Sequence, residues 1–274
     1  MDKKRVLIVT QEMEPYTALS EISTIARKLP QYVQEKGMEI RVLMPRFGTI
    51  NERRHRLHEV VRLSGMNIIV DDDDYPLIIK VASLPGARMQ VYFLDNEDFF
   101  KRKSVFEDYQ GKPFEDNQDR MVFFCKGVIE TVKKFGWAPD IVHCHGWMTS
   151  LIPLYLKTAY KTEPIFKNSK VVYSLYSTEM ESQFTEDLMT KASINNLEPE
   201  DLKAYFNDKK VTLHQGASKY IDGLIVGSET LSDDDSKIVE SVEVPKLEHQ
   251  APEAYLASYL EYFQSLLEEE EVES

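Results

Sequence analysis

Residues 139–147 read Pro139-Asp140-Ile141-Val142-His143-Cys144-His145-Gly146-Trp147. Two imidazoles one residue apart, at the end of an apolar run, are the groups in this chain best placed to do chemistry. A neutral imidazole both donates and accepts a hydrogen bond, and it changes charge close to neutral pH. Alternate residues of a strand share one side, so His143 and His145 are expected to point the same way. Past the carboxyl end of a parallel strand, that direction leads to the crevice where open α/β sheets take ligands. Two readings fit the spacing. One is a histidine-lined pocket for a sugar or a phosphate; the other is a strand end carrying two hydrogen-bonded histidines. His-x-His alone does not choose between them. Trp147 adds either a flat face for a sugar ring or one more core aromatic.

A strand ending at His143 needs a sheet around it. Arg5–Thr10 is apolar and reads as the first strand. Ile22, Ile25, Ala26, Leu29 and Val33 keep helical spacing, with Gly37 as the stop. Glu39–Met44 is the next strand, and a β-α-β start implies a parallel sheet with right-handed crossovers. Residues 57–94 read as several short strands, with Asp71–Asp74 as a solvated turn rather than a metal cluster. A helix over 118–135 follows Asp116-Asn117, either of which suits its cap. After Ile141–His143 come a helix over Trp147–Lys157, a strand over Lys170–Leu175, a helical stretch over 185–220 with a boundary near Pro199, and a strand over Gly223–Val226. Residues 232–251, with Pro245 and few apolar positions, read as a connector. Leu256, Tyr259, Leu260, Phe263, Leu266 and Leu267 then follow i, i+3, i+4, i+7 spacing, which marks an amphipathic helix. The carboxylates Glu268–Glu271 oppose its macrodipole, so its last turn is expected to fray.

The totals exclude several classes. With 274 residues, 42% hydrophobic, the chain suits one large globular domain or two small ones. Its net charge of −13 disfavours nucleic acid and anionic membranes. No signal peptide precedes Arg5, and no apolar run approaches the ~20 residues of a membrane span. The two cysteines, Cys125 and Cys144, form no Cys-x-x-Cys pair. A reducing cytoplasm is the expected location, with no metal site and no cofactor.

The run Val91–Asn96, Phe99-Phe100, Asp116-Asn117-Gln118-Asp119-Arg120, Gly136–Trp147 and Leu151–Leu156 resembles one family in order and spacing. It is similar to the N-terminal half of bacterial glycogen synthases and plant starch synthases, which show Asp-Asn-x-x-Arg, a long helix, then Trp-x-Pro-Asp-x-x-His-x-His-Asp-Trp. The resemblance spans about residues 4–230 and includes Glu12, Pro15 and Arg41–Gly48. It implies an α/β fold: a single doubly wound Rossmann-like domain over 1–231, like the acceptor half of a GT-B glycosyltransferase. The connector over 232–251 then leads to the amphipathic helix and acidic tail over 252–274, which would cross back onto that domain. It also places acceptor-side candidates at Asp116, Asn117, His143, His145 and Trp147, where Asp116 and Asn117 would bond sugar hydroxyls around His145.

Several positions depart from the family pattern. Where the family has Lys-Thr-Gly-Gly-Leu, this chain has Ala18-Leu19-Ser20-Glu21-Ile22. The lysine that would pair with a diphosphate is Ala18. Ser20 and Glu21 replace glycines whose backbone would approach phosphate at a helix N-terminus. Gly146 replaces an aspartate, Tyr176 a histidine, and Phe106 a tyrosine. The chain also stops where the family's nucleotide-sugar-binding half would begin. The resemblance therefore implies a domain that is inactive alone and binds an α-glucan, a protein partner or a second copy of itself. Two alternatives stand beside it: a glucosyltransferase completed by a separate donor-binding chain, and a purely structural interaction module.

Overall fold

The computed structural model describes residues 3–273, with side chains as far as Glu268. The carboxylates at 269–271, expected to fray, lie outside the described side chains. The first strand, β1 (Arg5–Thr10), pairs in parallel with β2 (Glu39–Pro45) on one side. Helix α1 (Glu21–Glu35) makes the crossover, capped by the Ser20 hydroxyl, which accepts from the Ile22 amide. Beyond α2 (Glu52–His55) come four more strands: β3 (His58–Glu59), β4 (Met66–Val70), β5 (Asp73–Ser83) and β6 (Gln90–Asp95). β6 returns to lie parallel to β2, while β5 runs antiparallel to β6, β4 and β3. Asp71 and Asp72 make the exposed β4–β5 turn, with Asp71 at φ 58°. Asp73 and Asp74 already belong to β5, so that strand is longer than the short pieces the sequence suggests.

After α3 (Glu97–Phe100) and α4 (Asn117–Phe135), the strand β7 (Ile141–His145) takes the other side of β1. It is followed by α5 (Leu151–Lys157) and β8 (Lys170–Leu175). The stretch 185–220 is not continuous helix. It breaks into α6 (Leu188–Lys191), α7 (Pro199–Leu202), the hairpin strands β9 (Phe206–Asn207) and β10 (Lys210–Val211), and α8 (Leu213–Ser218). Local chemistry explains the breaks: Asn196 and Asp208 adopt positive φ, and Pro199 opens a new helix instead of extending one.

Parallel strands β11 (Gly223–Val226) and β12 (Lys246–Leu247) extend the sheet to its far edge. Between them lies α9 (Asp233–Ser241), so residues 232–251 are more structured than a bare connector. Ser232 caps α9 by accepting from the Asp235 amide, and Asp233–Asp235 set negative charge in its first turn, where the macrodipole favours it. The final helix, α10 (Tyr255–Glu273), completes the chain.

The sheet order is β12-β11-β8-β7-β1-β2-β6-β5-β3. Winding runs outward from β1 through β2 to β6, then restarts beside β1 at β7 and runs through β8, β11 and β12. This is a doubly wound sheet with its switch point between β1 and β7. Its central strands are buried on both faces, as Val6, Ile8 and Val9 at 0% exposure show. Alternation in β7 then assigns the faces. Cys144 turns towards the layer of α4, α5 and α8, while His143 turns towards α10. α10 lies beside α1 and over the start of β11, where a Cβ on Gly223 would overlap Tyr262. Its apolar stripe is buried as expected, with Phe263 at 0% and Tyr259 and Leu266 at 2%.

Candidate functional site

A cleft of about 510 Å³ opens at the switch point. Each wall is the segment that leaves a parallel strand at its carboxyl end. Gln11 and Glu12 follow β1, Gly146 and Trp147 follow β7, Tyr176–Thr178 follow β8, and Ser228–Thr230 follow β11. Leu19–Ile22 at the start of α1 form the remaining rim, with Phe106 and Met180 opposite. Phe106 packs on Trp147 with ring centroids 5.0 Å apart, and Phe184 meets the same indole edge-on at 5.6 Å.

The five predicted site residues divide. Trp147 lines the cleft; Asp116, Asn117, His143 and His145 do not. The Asp116 carboxylate takes the N-cap position of α4 without capping, because the Arg102 guanidinium holds it in a two-pronged ion pair. Asn117 is 2% exposed; its amide donates to the Phe106 carbonyl at 2.7 Å and its oxygen accepts from Arg120 at 2.7 Å. Both residues therefore tie the 99–117 segment to α4, and neither presents a free group to a sugar hydroxyl.

The histidines correct the expectation of imidazoles facing an open crevice. Both are 0% exposed, because the strand side they share is the side that α10 covers. Phe263 lies 5.3 Å and Tyr259 5.9 Å from the His143 ring. The two rings bond each other, His145 Nε2 to His143 Nδ1 at 3.1 Å, and His143 Nε2 meets Ser174 Oγ at 2.7 Å. His145 Nδ1 meets the Tyr176 hydroxyl at 3.0 Å, and Tyr176 is the side chain that reaches the cleft.

That chain suits two neutral imidazoles. In a neutral ring one nitrogen donates and the other accepts, so donors can run consistently in one direction. A second proton on both rings would set two N–H groups against each other, and on either ring it would place a charge in a site closed to water. Burial holds His143 well below its ordinary value, with His145 adding to the effect, and burial lowers His145 to about 3. An unfolded histidine titrates near 6.5. Below that pH the unfolded chain takes up protons that the folded chain refuses, so stability falls as pH drops from 6.5 towards 3. Each group contributes about 1.4 kcal/mol per pH unit in that window. In His145→Gln, urea unfolding at pH 6.5 and 5 should show a pH-dependent loss about 2 kcal/mol smaller than in the wild type. An unchanged pH slope would contradict a neutral, buried His145.

The entry to α1 is occupied from within the chain. Glu12 Oε2 accepts from the amides of Leu19 at 2.5 Å and Ser20 at 2.9 Å, and Glu12 Oε1 accepts from the Ser20 hydroxyl at 2.6 Å. An internal carboxylate thus occupies donors at the entry to α1. Glu21 accepts from Ser228 at 3.0 Å across the cleft mouth. With Glu229, three carboxylates line the cleft, and none of the described lining residues is lysine or arginine. Gly146 has φ 86°, and a Cβ there would overlap the Gln11 carboxamide, which accepts from the Met148 amide. Gln11 thus fills the space a larger residue at 146 would need. Tyr176 in turn packs against Gly227, whose missing Cβ makes room for the ring. Sequence reading missed Gln11 and the internal bond of Glu12, because both act across loops with no periodic signal. Among the described residues, no group of three or more His, Cys, Asp or Glu is placed to hold a metal ion. No described helix is long and apolar enough to cross a membrane.

Known proteins match this chain in sequence and in fold. A family model described as the starch synthase catalytic domain matches residues 5–236. The glycogen synthase of Pelodictyon phaeoclathratiforme is 36% identical over 216 residues, covering 77% of this chain and 43% of that protein. That of Chlorobium phaeobacteroides is 36% identical over 233 residues, covering 84% of this chain and 46% of its own. The chain thus spans less than half the length of these curated relatives. Among solved structures, the catalytic domain of starch synthase IV from Arabidopsis thaliana, bound to ADP and acarbose, superposes with a TM-score of 0.74 at 15% identity. The match covers 90% of this chain and 52% of that one, and at that identity it speaks for the fold alone. With the family model matching most of its length, the chain belongs to the starch synthase catalytic domain family.

Proposed function

We propose that residues 1–274 form a synthase-like module that takes a neutral α-glucan segment in the switch-point cleft and does not by itself hold a nucleotide sugar. The observation that carries this reading is the cleft's charge. Glu12, Glu21 and Glu229 line it, no lysine or arginine does among the described residues, and the family's diphosphate-pairing lysine is Ala18. A diphosphate brought here would meet like charge in a partly desolvated site, which disfavours binding. A polyhydroxylated neutral ligand meets acceptors in Glu21 and Glu229, a hydroxyl donor in Thr178, and flat faces in Trp147, Phe106 and Tyr176. Of the two ligands named for the starch synthase IV structure, ADP is the one this lining opposes. Any glucosyl transfer would need donor-binding groups from outside residues 1–274, since transfer depends on holding donor and acceptor together.

Calorimetric titration with maltoheptaose tests the reading. Saturable binding is expected, with Trp147→Ala weakening it about tenfold, equivalent to 1.4 kcal/mol. Binding that survives Trp147→Ala unchanged would move the glucan site elsewhere.

A further inference from the structure

Tyr176 forms part of the cleft floor, yet its hydroxyl is anchored from beneath. Four side chains form a hydrogen-bonded chain, Tyr176 to His145, His145 to His143 and His143 to Ser174, and a fifth, Tyr259, packs on the His143 ring at 5.9 Å with its hydroxyl reaching towards Tyr176 and Ser174. Four of the five belong to β7, β8 and the residue just past β8. The fifth, Tyr259, comes from α10. We propose that Tyr259 is a positioning residue of the cleft: its hydroxyl fixes Tyr176 in the floor, so that a ligand in the cleft and the docking of α10 favour one another.

The geometry gives the linkage a direction. With α10 docked, Tyr176 is 4% exposed, its ring lies near-parallel to His145 at 29° and its far edge packs on Gly227. With α10 lifted, the face of β7 and β8 beneath it opens, and Tyr176 loses the group that holds its hydroxyl from below. Tyr176 is then free to turn outward, into the space a ligand would use. A ligand that needs the floor in place therefore binds the docked state better, and by linkage it strengthens docking by the same factor. The choice of an α-glucan as that ligand rests on the function proposed above; the chain of contacts does not.

The test uses the full chain and two variants that each remove one hydroxyl while keeping the aromatic ring. Without ligand, hydrogen exchange of residues 255–268 is expected to quicken about tenfold in Tyr176→Phe, while α4 keeps its wild-type protection. With ligand, maltoheptaose is expected to slow exchange in α10 of the wild type, and Tyr259→Phe, which does not line the cleft, is expected to bind it about five- to tenfold more weakly. A Trp137→Phe background leaves Trp147 as the fluorescent reporter for that affinity. If the wild type binds no maltoheptaose, the glucan reading falls and the Tyr176→Phe exchange comparison still decides the coupling. Equal α10 exchange in Tyr176→Phe and wild type, or equal maltoheptaose affinity in Tyr259→Phe and wild type, overturns the proposal.

Discussion

Replacing Phe263 by alanine is expected to lower the unfolding free energy by about 3–5 kcal/mol. The ring is 0% exposed and meets His143 edge-on at 5.3 Å, so truncation leaves a cavity beside a buried imidazole. The lost transfer energy and the unfilled space add to one another, since packed interiors collapse only in part. Leu256, half-buried on the same helix, should cost far less when truncated. Removing residues 252–274 altogether should be more severe, because Tyr259, Leu260, Phe263, Leu266 and Leu267 all leave the surface they cover. Urea unfolding followed by circular dichroism measures each case. A truncated chain that stays monomeric and unfolds at the wild-type midpoint would show that α10 is not part of this domain's core.

Arg120→Met should be about as damaging, at about 3–5 kcal/mol. Arg120 is 1% exposed; it donates to the carbonyls of Phe99 at 2.8 Å and Val105 at 2.6 Å and to Asn117 at 2.7 Å. Its guanidinium also lies over the rings of Phe47 and Phe100, at 5.5 and 5.3 Å. Methionine keeps much of the volume but leaves three buried acceptors without a donor. Arg120→Lys should not rescue, because an ammonium cannot reproduce the planar fork. Asp116→Asn, which weakens a partly exposed ion pair, should cost about 1 kcal/mol or less. Differential scanning calorimetry ranks the three. Should Arg120→Met melt like the wild type and lose glucan affinity instead, the Asp-Asn-x-x-Arg motif would be binding machinery after all, not the tie that holds 99–117 to α4.

Much of the architecture was readable because its signals are local. The apolar runs of β1, β2, β7, β8 and β11 mark strands buried on both faces, and the stripe from Leu256 to Leu267 marks the helix that covers them. That a cleft opens past the end of β7 was also readable, since strand ends at a switch point form the crevice. What lay over that end was not. The burial of His143 and His145 depends on α10, more than a hundred residues away, and two histidines look alike whether they meet water or Phe263. The engagement of Glu12 was hidden for a similar reason: the chain returns to it at Leu19, seven positions on, with no repeating pattern to announce the turn. The hairpin at Asn207–Lys210 was lost in a stretch whose composition suits helix, where a single residue at positive φ, Asp208, decides the outcome.

The charge of the cleft is the centre of this account, and one paired titration tests it most directly. The isotopically labelled chain is titrated with maltoheptaose and, separately, with ADP-glucose, and the amide shifts of Gln11, Gly146, Trp147, Tyr176 and Ser228 are followed by NMR. The account predicts saturable shifts at these residues with maltoheptaose, and none with ADP-glucose at millimolar concentration. Micromolar binding of ADP-glucose at these residues, or no response to maltoheptaose, would contradict it.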